Sequence, residues 1–341
     1  MEGQALRVAL WPLAVVYGLA ARLRTDLYRR GICTPRRLDG TVLSVGNLTV
    51  GGTGKTPMVL WLAEKLIAEG HRPAILTRGY RGGAHSDARG LPASDEAALL
   101  RERLGARAQL GVGKDRYESG RTLERHGARW FILDDGFQHL ALARDADIVL
   151  LDASDPFGGG KLLPAGGLRE PRSALARADV VVITRAERAP AVEELVRRFT
   201  RAPIFYAQTE LEAVLRVPAL AVEWPLADRA AARFFAFCGI GNPPAFFDDL
   251  RRWGFSVAGE RRFRDHHRYS SAEVAALERA ADLAGADAMI CTEKDVFNLR
   301  DAAPGRLPVY ACRIRLAIAD ASGFWSAILS AVSRHGVGKQ R

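Results

Sequence analysis

The stretch Ser44-Val-Gly-Asn-Leu-Thr-Val-Gly-Gly-Thr-Gly-Lys-Thr-Pro57 carries the densest chemistry in the chain. Gly51, Gly52 and Gly54, with Thr53 among them, let successive backbone N–H groups turn inward without Cβ clashes, which is how a chain cradles phosphate. Lys55 then stands where it reaches the β- and γ-phosphates of a nucleotide, and the Thr56 hydroxyl where it ligates Mg²⁺. Pro57 suits the first turn of a helix, whose N-terminus adds partial positive charge for an anion. The general pattern G-x-x-x-x-G-K-[ST] would put its first glycine where this chain has Thr49, so a bare pattern search fails here. Strand, glycines, Lys-Thr and helix still agree on nucleotide-phosphate binding.

Other candidates follow apolar runs. Trp130–Leu133 leads into Asp134-Asp135-Gly136-Phe137-Gln138-His139. Carboxylates at a strand end, in a chain with a phosphate loop, are where a Mg²⁺ ligand or an oriented water is expected. Asp95-Glu96 opens the helical run Ala97–Leu104 and, on residue type alone, reads as ordinary acid at a helix N-terminus. Arg78-Gly79-Tyr80, continued by Arg81-Gly82-Gly83, suits an anionic ligand or a surface salt bridge equally well. Gly158-Gly159-Gly160-Lys161 and Arg169-Glu170-Pro171 make a second glycine-rich basic stretch. In Asp265-His266-His267 the adjacent histidines point apart on most backbones, which argues against chelation by both. A carboxylate–imidazole pair and an unremarkable loop remain open. Thr292-Glu293-Lys294-Asp295 and Gly239-Ile240-Gly241-Asn242-Pro243 also stand at strand ends, where either could touch a nucleotide.

The elements that must position these residues alternate from residue 41 onward between short β-branched runs and helix-like segments, the signature of a parallel α/β sheet. Strands are expected at Thr41–Val45, Ala74–Thr77, Trp130–Leu133, Ile148–Leu151 and Val180–Thr184, with ligands at their carboxyl ends. A helix is expected from Met58 to Glu69, ended by Gly70. Residues 206–230 read as an extended linker. Beyond it a second α/β series runs through Arg233–Cys238, a helix to Trp253, extended Phe255–Phe263, a helix from Ser271, and strands Ala288–Thr292 and Val309–Ile314. The expected division is 1–30 for an N-terminal helix, 31–205 for a phosphate-loop domain and 231–341 for a smaller α/β domain.

The chain has 341 residues, enough for two domains, and its 48% hydrophobic and 26% charged content excludes a disordered, collagen-like or polytopic membrane protein. Its formal charge of +10 favours an anionic partner. Residues 1–37 hold seven arginines against Glu2 and Asp26, half of that excess. Between Arg7 and Arg22 lies the uncharged run Val8–Ala21, too short for a regular span and interrupted by Pro12 and Gly18. With Trp11, Tyr17 and its basic flank it reads as an amphipathic helix lying on a membrane surface. Packing on the protein's own core is the alternative, and a secretory signal fits poorly because the arginines follow the run. Cys33, Cys238, Cys291 and Cys312 are scattered, which fits a reducing cytoplasm. No nucleic-acid-binding pattern is present.

The ordered set SVGNLTVGGTGKTP, TRGY, SDE, GKDRY, LDDGFQH, GGGKLLPAGGLREP, GIGNPPAFF, DHHRYS and TEKD, behind a basic amphipathic start, closely resembles the tetraacyldisaccharide 4'-kinase family of Gram-negative bacteria. The matches run in order from about residue 8 to 300, and the family itself carries the phosphate loop without the first glycine. The resemblance implies a P-loop NTPase-like domain with a mostly parallel sheet, a smaller α/β domain, and a peripheral or monotopic place on the cytoplasmic face of the inner membrane. It implies transfer of the γ-phosphoryl of ATP, with Mg²⁺, to the 4'-hydroxyl of the anionic lipid tetraacyldisaccharide 1-phosphate, giving lipid IVA. By the family pattern Asp95 takes the acceptor's proton, with His266 as its partner and Lys55 on the phosphates. Thr49, Gly51, Gly52, Thr53, Gly54, Thr56, Gln138 and His139 attend the nucleotide. Thr56, Glu96, Asp134 and Asp135 attend Mg²⁺, and Arg78, Tyr80, Arg116 and Arg169 hold anionic groups of the substrate. Whether His266 or His267 is the functional one rests on register alone. Neither a nucleic acid nor an obligate protein partner is expected. The rival reading is a membrane-recruited regulatory ATPase, although Val50 stands where such proteins carry a signature lysine.

Overall fold

A computed structural model of the chain describes residues 10–79, 94–217, 220, 232–299 and 305–336. The chain divides into two compact units. The first takes residues 1–80, 104–208 and 316–341; the second takes 81–103 and 209–315.

In chain order the elements are α1 Trp11–Arg29, β1 Thr41–Asn47, α2 Lys55–Ala68, β2 Ala74–Thr77, α3 Asp95–Leu104, β3 Gln109–Val112, α4 Arg116–Arg125, β4 Trp130–Asp134, β5 Ala146–Asp152, β6 Val180–Thr184, α5 Pro190–Arg197 and β7 Ile204–Arg216. They continue with β8 Arg233–Cys238, α6 Pro243–Arg252, β9 Ser256–Arg262, α7 Ser271–Leu283, β10 Ala288–Thr292, α8 Glu293–Val296, β11 Val309–Ile318 and α9 Ala321–Gly336.

The strands of the first unit run in the order β3-β2-β4-β1-β5-β6-β7. Their registers are parallel, for example Val45↔Asp134 between β1 and β4 and Val45↔Ile148 between β1 and β5. Every residue of β5 and β6 is buried, as expected of parallel strands covered on both faces. From β1 the chain builds β2, β3 and β4 on one side and then crosses to β5 on the other. The loops after β1 and β4 therefore emerge side by side at the carboxyl end of the sheet, the place where open α/β sheets hold their ligands. The core beneath includes Leu48, Phe137, Val149, Leu151 and Val181.

The second unit orders its strands β11-β10-β8-β9, again in parallel register, as in Met289↔Val309 and Ala288↔Phe234. Phe234, Phe246, Phe247 and Tyr310 fill one face, and Phe237, Tyr269, Val274 and Leu277 fill the other. Ser270 caps α7 in a reciprocal box with Glu273.

Three details depart from the sequence expectations. The division is not contiguous: α9 belongs to the first unit because Phe324 packs edge-on against Trp61 and Phe205, with ring centroids 5.2 and 5.4 Å apart. Within the expected linker, residues 206–216 are part of the 13-residue strand β7, while 218–219 and 221–230 lie outside the described residues. The four-residue strand β3, paired to β2, was not expected.

Candidate active site

In the first unit the phosphate loop leaves β1 and turns through Gly51 at φ 118° and Gly54 at φ 88°, a left-handed region where other residues are strained. Helix α2 starts at the next residue, Lys55, so its first-turn amides have no intrahelical acceptor and face outward with the dipole. The loop is braced from behind: Val50 N donates to Gly167 O at 2.8 Å and Arg169 N to Leu48 O at 2.7 Å. Gly158 approaches so closely that a Cβ there would lie 3.1 Å from Thr49. The second glycine-rich stretch thus supports the loop, and Thr49 is one of its buried contact points. Among the described residues the buried Thr53 Oγ1, Asn47 Nδ2 and Gln138 Oε1 have no hydrogen-bond partner. Such polar atoms suit a bound phosphate or its waters.

Lys55 Nζ lies 3.3 Å from Asn47 Oδ1 and 3.5 Å from Asp135 Oδ1. Arg169 Nη1 donates to both oxygens of Asp135, at 2.7 and 2.8 Å. Burial acts to raise the Asp135 pKa, but the charges of Lys55 and Arg169 outweigh it and hold the carboxyl below its ordinary range. Asp135 itself adopts φ 49°, a strained conformation for a residue with a side chain. The tight approach of β1 fixes it there: Gly136 N donates to Val45 O at 2.8 Å, and a Cβ on Gly46 would lie 2.5 Å from Phe137 Cβ. The neighbouring Asp134 accepts from Thr77 Oγ1 at 3.2 Å.

Arg116 is buried, and burial followed by the charge of Arg78 lowers its pKa, while Asp134 and Asp135 act in the opposite sense. Gln138 Nε2 donates to Asn47 O at 3.0 Å. Burial and the cations Arg116, Arg144 and Arg24 push His139 down to about 4, so it is a neutral imidazole at physiological pH. Arg78 is exposed at the end of β2; Tyr80 lies outside the described residues. Hydroxyl and carboxylate oxygens from Thr56, Asp134 and Asp135 are the hard donors Mg²⁺ prefers. Among the described residues no three His, Cys, Asp or Glu side chains form a metal cage. A Mg²⁺ carried largely by phosphate oxygens and waters needs none.

The second unit holds a different cluster. His266 Nδ1 lies 2.9 Å from both Asp95 oxygens, and Asn298 Nδ2 donates to Asp95 Oδ2 at 3.2 Å. Lys294 Nζ stands 3.7 Å from Asp95 and 3.6 Å from Glu96. Burial would raise the Asp95 pKa; the His266 hydrogen bond, Lys294 and Asn298 together reverse this and hold it below the ordinary value. The bond to Asp95 raises His266 in turn. Each group thus favours the charged form of the other, carboxylate for Asp95 and protonated imidazole for His266. His266 reaches this position by adopting φ 59°, its amide donating to Gly239 O at 3.1 Å. His267 turns the other way, stacked on Phe263 at 4.6 Å and edge-on to Tyr269. The geometry separates the two histidines where register could not.

Helix α1 exposes Trp11, Leu13, Val16, Leu19 and Leu23, while Ala14 and Gly18 are buried. It walls an apolar cleft of about 690 Å³ that Leu162, Leu168 and Phe199 also line, together with Arg22, Lys161 and Arg172. Among the described residues no helix is long and apolar enough to cross a membrane.

A family model described as tetraacyldisaccharide-1-P 4'-kinase matches residues 6–333. The chain belongs to this family. It is 43% identical over 312 residues to the tetraacyldisaccharide 4'-kinase of Geobacter sulfurreducens, covering 87% of this chain and 86% of the relative. It is 45% identical over 296 residues to that of an Anaeromyxobacter strain, covering 82% and 78%. Among solved structures it resembles LpxK from Aquifex aeolicus in complex with ATP, at TM-score 0.70 and 30% identity, covering 96% of this chain and 99% of that one.

Membership makes the protein an enzyme, a kinase of lipid A biosynthesis, and the regulatory-ATPase alternative is not favoured. The sequence-expected residues fall into two groups. Lys55, Asp134, Asp135, Gln138, His139, Arg78, Arg116 and Arg169 lie in the first unit, and Asp95, Glu96 and His266 in the second. Sequence reasoning missed Asn298, which had no local motif, and read Lys294 only as a possible nucleotide contact.

Proposed function

We propose that this chain transfers the γ-phosphoryl group of ATP to the 4'-hydroxyl of a tetraacyldisaccharide 1-phosphate. The observation that carries this is the family match across residues 6–333, which spans both the phosphate loop and the Asp95–His266 pair.

The loop amides and the α2 N-terminus bind the nucleotide phosphates, and Lys55 offsets the charge that spreads over the γ-oxygens as transfer proceeds. Arg169 holds Asp135 through both of its oxygens, and the Thr77 hydroxyl holds Asp134. A sugar hydroxyl is a weak nucleophile; Asp95 takes its proton as the 4'-O–P bond forms, the β–γ bridging P–O bond breaks and ADP leaves. His266 orients Asp95 through Nδ1 and stabilises its charge before transfer. Mg²⁺, when bound, would screen the phosphate oxygens, with Thr56, Asp134 and Asp135 of the first unit as the residues suited to hold it or its waters. Arg78, Tyr80, Arg116 and Arg169 are the groups suited to anionic substrate. The exposed apolar face of α1 with its arginine flank supports docking on the membrane that carries the lipid acceptor.

The test is transfer of labelled γ-phosphate from ATP to a tetraacylated disaccharide 1-phosphate in mixed micelles, with Lys55→Ala alongside. A bisphosphorylated lipid formed by the wild type alone is expected. ATP hydrolysis with no lipid product would refute the reading.

A further inference from the structure

The sequence Thr292-Glu293-Lys294-Asp295 is not used by the reaction as described, yet its side chains are among the most engaged in the second unit. Thr292 Oγ1 accepts from Asp295 N at 3.3 Å, and the Asp295 carboxylate takes the Thr292 hydroxyl at 2.6 Å. The fully buried Asp295 also accepts from Gly239 N at 2.8 Å and Tyr269 Oη at 2.7 Å. The turn is therefore fixed to the loop that carries His266. From it Glu293 pairs with Arg103 at 3.2 Å and Arg313 at 2.8 Å, while Lys294 points to Asp95. Arg103 lies eight residues beyond Asp95 on α3, about 12 Å at 1.5 Å per residue. Two consecutive side chains thus grip both ends of the helix that opens with Asp95.

Lys294 is the hub of three carboxylates: Asp265 at 3.3 Å, Glu96 at 3.6 Å and Asp95 at 3.7 Å. Its side chain is only 19% exposed, and an ammonium so placed is tolerated because anions surround it. Burial alone would lower its pKa, and Asp95, Glu96 and Asp265 reverse that. Without the ammonium, three carboxylates would face one another, and Asp95 would lose one of the four groups that meet its carboxylate, the others being His266, Asn298 and the Glu96 amide.

We propose that Lys294 is a positioning residue for phosphoryl transfer, holding the Asp95 carboxylate in the orientation that receives the acceptor proton by pairing at once with Asp95, Glu96 and Asp265. This rests on the reading of Asp95 given above. Lys294 acts through Asp95 and touches no reacting atom.

The experiment compares Lys294→Met, Lys294→Arg, Asp95→Asn and the double variant Asp95→Asn/Lys294→Met in the micelle transfer assay, resolving kcat from KM, with thermal unfolding of each. Lys294→Met is expected to lower kcat about 10²-fold, the scale on which a misplaced catalytic group costs rate, with KM for ATP little changed; Tm falls as the carboxylates lose their counter-ion, so kcat is read well below the lowest Tm of the set. Lys294→Arg is expected to recover to within about tenfold of wild type, because it restores the charge with altered geometry. In the Asp95→Asn background Lys294→Met is expected to cost less than about twofold more, since the two residues act as one unit. Lys294→Met turnover within about threefold of wild type would overturn the proposal, as would a full additive loss in the double variant. A loss that tracks a fall in Tm and is not recovered by arginine would also overturn it. Near-wild-type turnover by Asp95→Asn would instead remove Asp95 as the base, and this inference with it. An inactive Asp95→Asn beside a fully active Lys294→Met would refute Lys294 alone.

Discussion

On α1, Leu13, Val16 and Leu23 form a stripe that is 58%, 64% and 61% exposed, and none of the three lines the adjoining cleft. The helix is seated on the first unit by other residues. A Cβ on Gly18 would lie 2.6 Å from Leu162 Cδ1, and Tyr17 Oη donates to Arg169 O at 2.9 Å. Changing the stripe therefore alters what the helix offers outward without loosening its seat. Removing a leucine side chain fully from water is worth roughly 2 kcal/mol. With about 60% of Leu13 and Leu23 still in water, glutamine at either position forgoes about 1.2 kcal/mol of lipid contact, roughly eightfold in partition, and the pair about 60-fold. The assay is co-sedimentation of the Leu13→Gln/Leu23→Gln variant with phosphatidylcholine–phosphatidylglycerol vesicles, with ATP binding and Tm as controls expected to be unchanged. Higher salt should weaken binding of both proteins through Arg22, Arg24, Arg29 and Arg30. A double variant that sediments within about twofold of wild type would show that the stripe is not a membrane face.

Lys55→Ala is expected to lower transfer by about 10²–10³-fold, as loss of a donor to developing charge does. It should leave Tm nearly unchanged, because its contacts at 3.3 and 3.5 Å are long; calorimetry beside the transfer assay checks both. Gly46→Ala places a methyl 2.5 Å from Phe137 Cβ and 2.7 Å from its amide nitrogen. It should cost about 1–3 kcal/mol of stability by overpacking, measured by urea unfolding, and impair ATP binding by displacing Asp135. The raised His266 pKa gives stability that is fully present below its unfolded value of 6.5 and is lost as pH rises through the folded value. The lowered Asp95 pKa keeps its share through the ordinary carboxylate range, to be lost only as pH falls through the folded value. Wild type should therefore exceed His266→Asn in stability most clearly near pH 5.5, with the gap narrowing towards pH 9. A gap independent of pH across urea titrations would contradict the ion pair.

Much of the first unit was legible because its signals are local. The phosphate loop, its helix and the strand-end Asp134-Asp135 each occupy one short stretch, where residue type and spacing fix the backbone directly. Strand β3, Gln-Leu-Gly-Val, escaped because four residues with a central glycine carry no period of their own; it is a strand because β2 lies beside it. Strand β7 passed for a linker for a similar reason, since its extended pattern does not say what it pairs with. On residue type alone Asp95 was only a helix-opening acid and DHH a common loop, and it took the family resemblance to give them roles.

The sequence by itself determined the nucleotide-phosphate chemistry, the α/β class, the family and the apolar, arginine-flanked first helix, because each is written in contiguous residues. Tertiary structure alone decided that His266 and not His267 meets Asp95, that Lys294 and Asn298 join them, and that α9 closes the first unit. Asp95 and Lys294 are 199 residues apart in the chain and 3.7 Å apart in space. Propensity and period are properties of neighbours in sequence, whereas these contacts depend on which strands lie side by side and on the left-handed turn at His266 that aims its ring.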